Sequence, residues 1–186
     1  VSESLQQAAF QVGSIITTTG YATTDFNLWP EISRTILVML MFIGACAGST
    51  GGGFKISRLL ILCKAIPKQL SLVIHPREVK VIRMDGKPID HNTLRSTNVY
   101  LAIYFFILLV STLLISVDNF NLTTNFTAVA STLNNIGPGL DGVGPTRNFG
   151  MYSDFSKFVL MFDMLAGRLE LYPLLILFMP SLWRRK

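Results

Sequence analysis

The run Thr17-Thr18-Thr19-Gly20-Tyr21 carries residue types that can strip a cation of its water. A desolvated cation needs fixed oxygens around it, and a stretched backbone with threonine hydroxyls at its inner end supplies them without net charge. Gly20 permits backbone torsions that a β-carbon resists. The pattern returns later in the chain. Gly137 stands 117 positions after Gly20, and at that shift Val12 falls on Val129, Ser14 on Ser131 and Ile16 on Leu133, with Asn134-Asn135-Ile136 facing the three threonines. Further on, Leu40-Met41-Phe42 answers to Leu160-Met161-Phe162 and, after a one-residue slip, Ala47-Gly48 to Ala166-Gly167. A short helix, a glycine-centred loop and a long helix, met twice in the same order, read as an internal repeat rather than two chance turns.

Two other groups of residues could do chemistry. The stretch Gly48-Ser49-Thr50-Gly51-Gly52-Gly53 has the glycine spacing of a phosphate-binding loop, but Phe54 intervenes before Lys55 and an apolar helix rather than a strand precedes it. Small residues also serve close helix packing. Three consecutive glycines instead favour a non-helical segment within the membrane, which is tolerated where backbone lines a water-filled cavity. Arg168 falls near the centre of an apolar span, where an arginine costs about 2.5–3.5 kcal/mol on insertion scales and so faces an aqueous path or an ion-pair partner. Asp163 and Glu170 share a helix face but lack the spacing that would pair either locally with Arg168. Those three residues form the only basis for a competing reading as a membrane enzyme or proton-coupled carrier. Pro173 should bend this helix just beyond Arg168.

The elements that must position these residues are membrane elements. Half the residues are hydrophobic, 15% are charged, and the mean hydropathy is +0.47, which excludes an ordinary soluble domain. Thr97 to Val117 is free of charge and long enough to span, as is Ser156 to Met179. Ile32 to Ile66 is apolar at both ends and broken by the glycines. Gln6 to Thr17 and Thr124 to Asn134 are too short to span and suit re-entrant pore helices, whose carbonyl ends carry roughly half a negative charge. Between Lys55 and Arg95 nine basic residues face three acidic ones, and the chain ends in Arg184-Arg185-Lys186. Both regions are therefore expected on the cytoplasmic side, with the glycine-centred loops on the outer side; topology accounts for the net charge of +5 without a nucleic-acid partner. Val79 to Met84 and Lys87 to Ile89 flank Asp85-Gly86 as a hairpin. Cys46 and Cys63 point to neither a disulfide nor a metal site, and His75 and His91 stand alone as solvated side chains. Asn121-Leu122-Thr123 and Asn125-Phe126-Thr127 fit the glycosylation pattern, which is common by chance.

The fold class is thus all-α integral membrane, with tandem outer helix–pore helix–filter–inner helix repeats and a small cytoplasmic hairpin. Residues 1–66 hold a pore helix, a filter and a broken inner helix, 67–96 a connector, and 97–186 a complete unit. With no outer helix ahead of the first pore helix, the chain is expected to be a fragment.

The first loop resembles the filter of a potassium channel, and the whole chain resembles the C-terminal half of the bacterial Trk/Ktr potassium transporters, most closely the TrkH type. The matching stretches are Thr17 to Phe26, Gly44 to Lys55, His75-Pro76-Arg77 and Asn134 to Gly139. The resemblance implies four such units around one pore, of which this chain holds most of the third and all of the fourth. It implies potassium coordination at Thr17, Thr18, Thr19, Gly20, Asn134, Asn135, Ile136 and Gly137, and a gate made of the loop Gly48, Ser49, Thr50, Gly51, Gly52 and Gly53 with Arg168 projecting into the pore beneath the filter. It further implies an inner-membrane protein without a covalent cofactor. Its expected partners are the N-terminal half of the same protein, a second copy in a homodimer, a ring of nucleotide-binding regulatory subunits and the lipid bilayer. Potassium uptake, in the manner of a symporter, is the implied activity, whereas a two-filter channel subunit is the runner-up within transport. The second loop departs from the channel pattern, with Pro138 where Tyr21 stands.

Overall fold

Charge and apolar patterning translate into six helices and one hairpin among the residues that the computed structural model describes, 2–44, 53–75, 81–84 and 86–169. Helix α1 (Ser2–Ile16) runs into the first glycine-centred loop, and a 3-10 turn at Phe26–Leu28 leads to α2 (Glu31–Phe42). Pro30 stands immediately before α2, and Glu31 in its first turn complements the helix dipole while accepting from Arg34 at 3.0 Å. Helix α3 (Ile56–Ile74) follows. A two-stranded hairpin, β1 (Arg83–Met84) and β2 (Lys87–Pro88), pairs Arg83 with Pro88 and Met84 with Lys87, with Gly86 at φ +77° in its turn.

The second half consists of α4 (His91–Ile115), α5 (Leu122–Leu133) and α6 (Asp154–Arg168). Helix α4 is apolar all round, and the stretch Asn92–Asp118 is the one helical segment among the described residues long and apolar enough to cross a membrane. Asn121 caps α5 by accepting from the Thr124 amide at 2.7 Å, and Ser153 caps α6 by accepting from the Ser156 amide at 3.3 Å. The Tyr152 hydroxyl, its pKa pushed up to about 12 by burial, donates to Asn125 Oδ1 at 3.0 Å beneath the start of α6.

Two apolar clusters hold these pieces. In the larger, α5 is enclosed by α4 and α6 through Tyr104, Leu108, Val129, Leu133, Leu160 and Ala166. In the smaller, Ile15 of α1, Phe26, and Leu37 and Met41 of α2 pack on Ile136 and Leu140 from the second glycine-centred loop, so the two repeats share one core. Phe42 on Phe126, ring centroids 6.0 Å apart, adds a direct α2–α5 contact. The outward faces of α4 and α6 remain apolar, with Phe106, Leu109, Leu113, Phe158 and Leu165 exposed.

Element boundaries differ from the sequence expectation at the connector. Helix α3 continues eight residues past Ile66 through Pro67, a ring that removes one helical hydrogen bond without ending the helix. Helix α4 begins at His91, because a helix starts where its backbone turns rather than where charge stops. The continuation of α6 toward Met179, with Glu170 and Pro173, lies outside the described residues.

Helices α5 and α6 meet closely at Gly167, whose added β-carbon would strike the carbonyl oxygen of Leu133 at the end of α5. Gly167→Val in the full-length protein is accordingly expected to lower the thermal unfolding midpoint in detergent by several degrees. An unchanged midpoint would remove this contact as a determinant of packing.

Candidate ion-binding site

Both short helices end in the same backbone turn. After α1 the amides of Thr17, Thr18 and Thr19 donate to Gly13, Ile15 and Ser14 at 3.0, 3.1 and 2.9 Å. After α5 those of Asn134, Asn135 and Ile136 donate to Ala130, Thr132 and Ser131 at 3.1, 3.0 and 2.9 Å, one for one at the 117-residue shift. Thr18 and Asn135 both stand at φ 55°, Gly20 at φ 78° and Gly137 at φ 113°. This is a helix-terminating reversal with a left-handed residue after the cap, a position usually given to glycine. Here a threonine and an asparagine occupy it, at a cost of roughly 1–2 kcal/mol for a left-handed L-residue.

The side chains at the start of each loop bond backward along their helices. Thr17 Oγ1 donates to Gly13 O at 2.7 Å and lies 2.8 Å from Thr19 Oγ1. Asn134 Nδ2 donates to Ala130 O at 2.7 Å, and Asn134 Oδ1 accepts from the Tyr104 hydroxyl at 2.8 Å, so this fully buried amide faces away from the loop axis. The Asn134 side chain is thereby committed to structure, which leaves its backbone carbonyl as the group expected to coordinate. Ser14 Oγ donates to Tyr21 O at 2.6 Å and draws the first loop back against α1; its counterpart Ser131 bonds to Ala128 O at 3.0 Å instead.

The two loops lie side by side. A β-carbon on Gly20 would strike the carbonyl oxygen of Ile136, and Pro138 Cδ would lie 3.4 Å from it, whereas Gly137 faces open space. Thr18, Thr19, Asn135, Ile136 and Gly137 open onto one shared cavity of about 540 Å³ that α6 lines with Lys157, Leu160, Met161 and Met164. Asn135 Nδ2 donates to Met164 O at 3.0 Å, and Gly167 abuts Leu133, so Arg168 leaves α6 beside the start of the second loop with its side chain exposed. Asp163 is elsewhere: it is fully buried and accepts from Ser111 Oγ of α4 at 2.7 Å, a helix–helix contact that does not include Arg168. Gly53 is described at φ 81°, and the amide of Gly44 donates to Phe54 O at 3.0 Å across the base of the glycine-rich loop. Gly48, Ser49, Thr50, Gly51 and Gly52, like Cys46 and Glu170, lie outside the described residues.

Sequence reasoning missed a set of outer contacts. Asn27 takes the Asp141 amide on Oδ1 at 2.9 Å, while Thr146 Oγ1 donates to Asp25 Oδ2 at 3.2 Å, which joins the two segments after the loops. Asn121 Nδ2 donates to Asp141 Oδ2 at 2.8 Å. Asp25-Phe26-Asn27 carries the signal of a side-chain-stabilised turn, but nothing local says which distant amide it meets.

Paired short helices whose matched loops open on one cavity, beside a helix long and apolar enough to cross a membrane, define a channel-like membrane protein. Residues 1–185 match the family described as TrkH, cation transport protein. The chain belongs to that family, a family of membrane transporters rather than enzymes, which removes the competing enzyme reading of Asp163, Arg168 and Glu170. It is 40% identical over 182 residues to the Trk system potassium uptake protein TrkH of Vibrio parahaemolyticus, covering 98% of this chain and 37% of that protein. Against TrkH of Escherichia coli K12 the identity is 38% over 180 residues, covering 97% and 37%. The crystal structure of the potassium transporter TrkH from Vibrio parahaemolyticus superposes with a TM-score of 0.88 at 39% identity, covering 98% of this chain and 39% of that one. The chain thus spans little more than a third of the length of these relatives.

Because Gly20 lies against the Ile136 carbonyl, Gly20→Ser in the full-length protein should lower the rubidium-over-sodium uptake ratio more than total uptake. An unchanged ratio in well-folded protein would count against Gly20 as part of the filter.

Proposed function

We propose that this chain contributes two of the four filter strands of a potassium uptake pore, with the backbone carbonyls of 17–20 and 134–137 coordinating the ion. The observation that carries the reading is the backbone turn repeated at Thr18/Asn135 and Gly20/Gly137, with both copies opening on one cavity. Carbonyl dipoles bind a dehydrated cation without holding it as a carboxylate would, so the ion can leave as readily as it enters. Two strands enclose half an ion, and the open space at Gly137 suits a further strand from the N-terminal half of the protein.

In this reading residues 1–66 and 97–186 are the third and fourth pore units of a multi-pass protein of the bacterial cytoplasmic membrane. The filters face outward, and the connector 67–96 and the C-terminus are cytoplasmic. The glycine-rich loop from Gly48 to Gly53 obstructs the path beneath the filter, and Arg168 adds a positive charge that raises the energy of a passing cation where little water screens it. A second copy and nucleotide-binding regulatory subunits on the basic cytoplasmic face complete the assembly.

Full-length protein should restore rubidium uptake to cells lacking their own potassium uptake; failure to do so with protein present in the membrane would refute the transport reading. In liposomes without any regulatory subunit, deletion of Gly51 to Gly53 should raise basal flux; a fall in flux from folded protein would make the loop a packing element. Arg168→Ala should raise maximal flux per folded molecule, with Arg168→Lys close to the parent. Lower flux joined to a stability loss of about 3–5 kcal/mol would instead assign Arg168 to a buried ion pair.

A further inference from the structure

Tyr104 of α4 meets three parts of the site at once. Its ring packs edge-on against Phe42, the last residue of α2 before the glycine-rich loop, with centroids 6.5 Å apart and an interplanar angle of 82°. It also packs against Phe54, just past that loop, at 6.3 Å. Its hydroxyl donates to Asn134 Oδ1 at 2.8 Å. Asn134 is the residue at which α5 ends and the second filter strand begins, and both its backbone amide and its Nδ2 are held by Ala130 O, at 3.1 and 2.7 Å. The base of the loop touches the same amide from the other side: a β-carbon on Gly53 would lie 2.5 Å from Asn134 Oδ1. Tyr104 is 2% exposed and Asn134 0%, so neither is a surface feature.

The apolar contacts of Tyr104 require only a phenyl ring. Burying a hydroxyl without a partner is costly, so a tyrosine in an otherwise apolar span is there for what its oxygen holds. We propose that Tyr104 is a positioning residue for conduction, which ties both stems of the glycine-rich loop to the cap of the fourth pore helix and so sets the pitch of the second filter strand. Its ring follows Phe42 and Phe54, and its hydroxyl passes that position to Asn134. The side-chain amide of Asn134 is bonded at both ends and cannot turn without moving the residue that opens the filter. The pair thereby couples the stems at Phe42 and Phe54 to ion selection. The inference rests on the transport reading above.

The test measures rubidium-over-sodium competition in the full-length protein, with thermal stability followed in parallel. Tyr104→Phe keeps the ring and removes the donor, and should lower the ratio on the order of threefold to tenfold, as expected for one net hydrogen bond. Added to Asn134→Ala, it should change the ratio no further. Gly53→Ala, which presses on Asn134, should lower the ratio in the parent and less so in Asn134→Ala. A ratio unchanged by Tyr104→Phe overturns the proposal, whether stability falls or not, because a purely structural role would alter yield and not selectivity. Additive effects of Tyr104→Phe and Asn134→Ala overturn it as well. Absence of any rubidium preference in the parent overturns the transport reading, and the inference with it.

Discussion

The reversal of the backbone at Thr18 and Asn135 is the constraint on which the rest of this structure depends. A helix that stops inside a protein must satisfy its last carbonyls, and the reversal does so for all but the final ones through the amides of Thr18, Thr19, Asn135 and Ile136. A β-branched residue at φ 55° is unfavourable, and such strain persists only where its surroundings over-determine it. The surroundings here are specific: Ser14 on the Tyr21 carbonyl, Tyr104 on Asn134, and Met164 and Gly167 against the end of α5.

Equivalent parts of the two repeats are held in different ways. Helix α5 is wrapped by α4, α6 and α2 and is buried over most of its length, whereas α1 has α2 as its main companion among the described residues and is mostly exposed. The first loop is pulled back by a side chain on its own helix, and the second is held through the outer helix α4. Identical backbone turns therefore tolerate unequal sequences, provided that each is anchored. That explains how Asn134-Asn135-Ile136 can stand where the first repeat has three threonines.

The outer network adds a second level of constraint. Asn27 bonded to the Asp141 amide and Thr146 bonded to Asp25 bridge segments more than a hundred positions apart in sequence, directly after the two glycine-centred loops. With Gly20 against the Ile136 carbonyl below and this network above, the two strands are fixed relative to each other at both ends. Rigid spacing between strands is what an arrangement of coordinating carbonyls needs if it is to distinguish ions by the number and geometry of its oxygens.

The sequence by itself determined the repeat, the short helices, the glycine-centred turns and the hairpin, because each is local: hydrophobic length, a glycine at φ 78° or 113°, and an Asp-Gly turn are written in neighbouring residues. It also determined the family, through the threonine run, the glycine-rich loop and the Asn134 to Gly139 stretch. Tertiary structure alone decided which polar side chains are spent on the scaffold. Asn134 aligns with Thr17, and its side-chain amide is spent on Tyr104 and Ala130; Asp163 reads as a partner for chemistry near Arg168, yet it bonds to Ser111 on another helix. Tyr104 gives no local sign of its place between Phe42, Phe54 and Asn134. Apart from Asn134 to Ala130, these contacts join residues from about 30 to 60 positions apart, and a polar side chain in an apolar helix announces only that it needs a partner. Which partner it finds is fixed by how the helices pack.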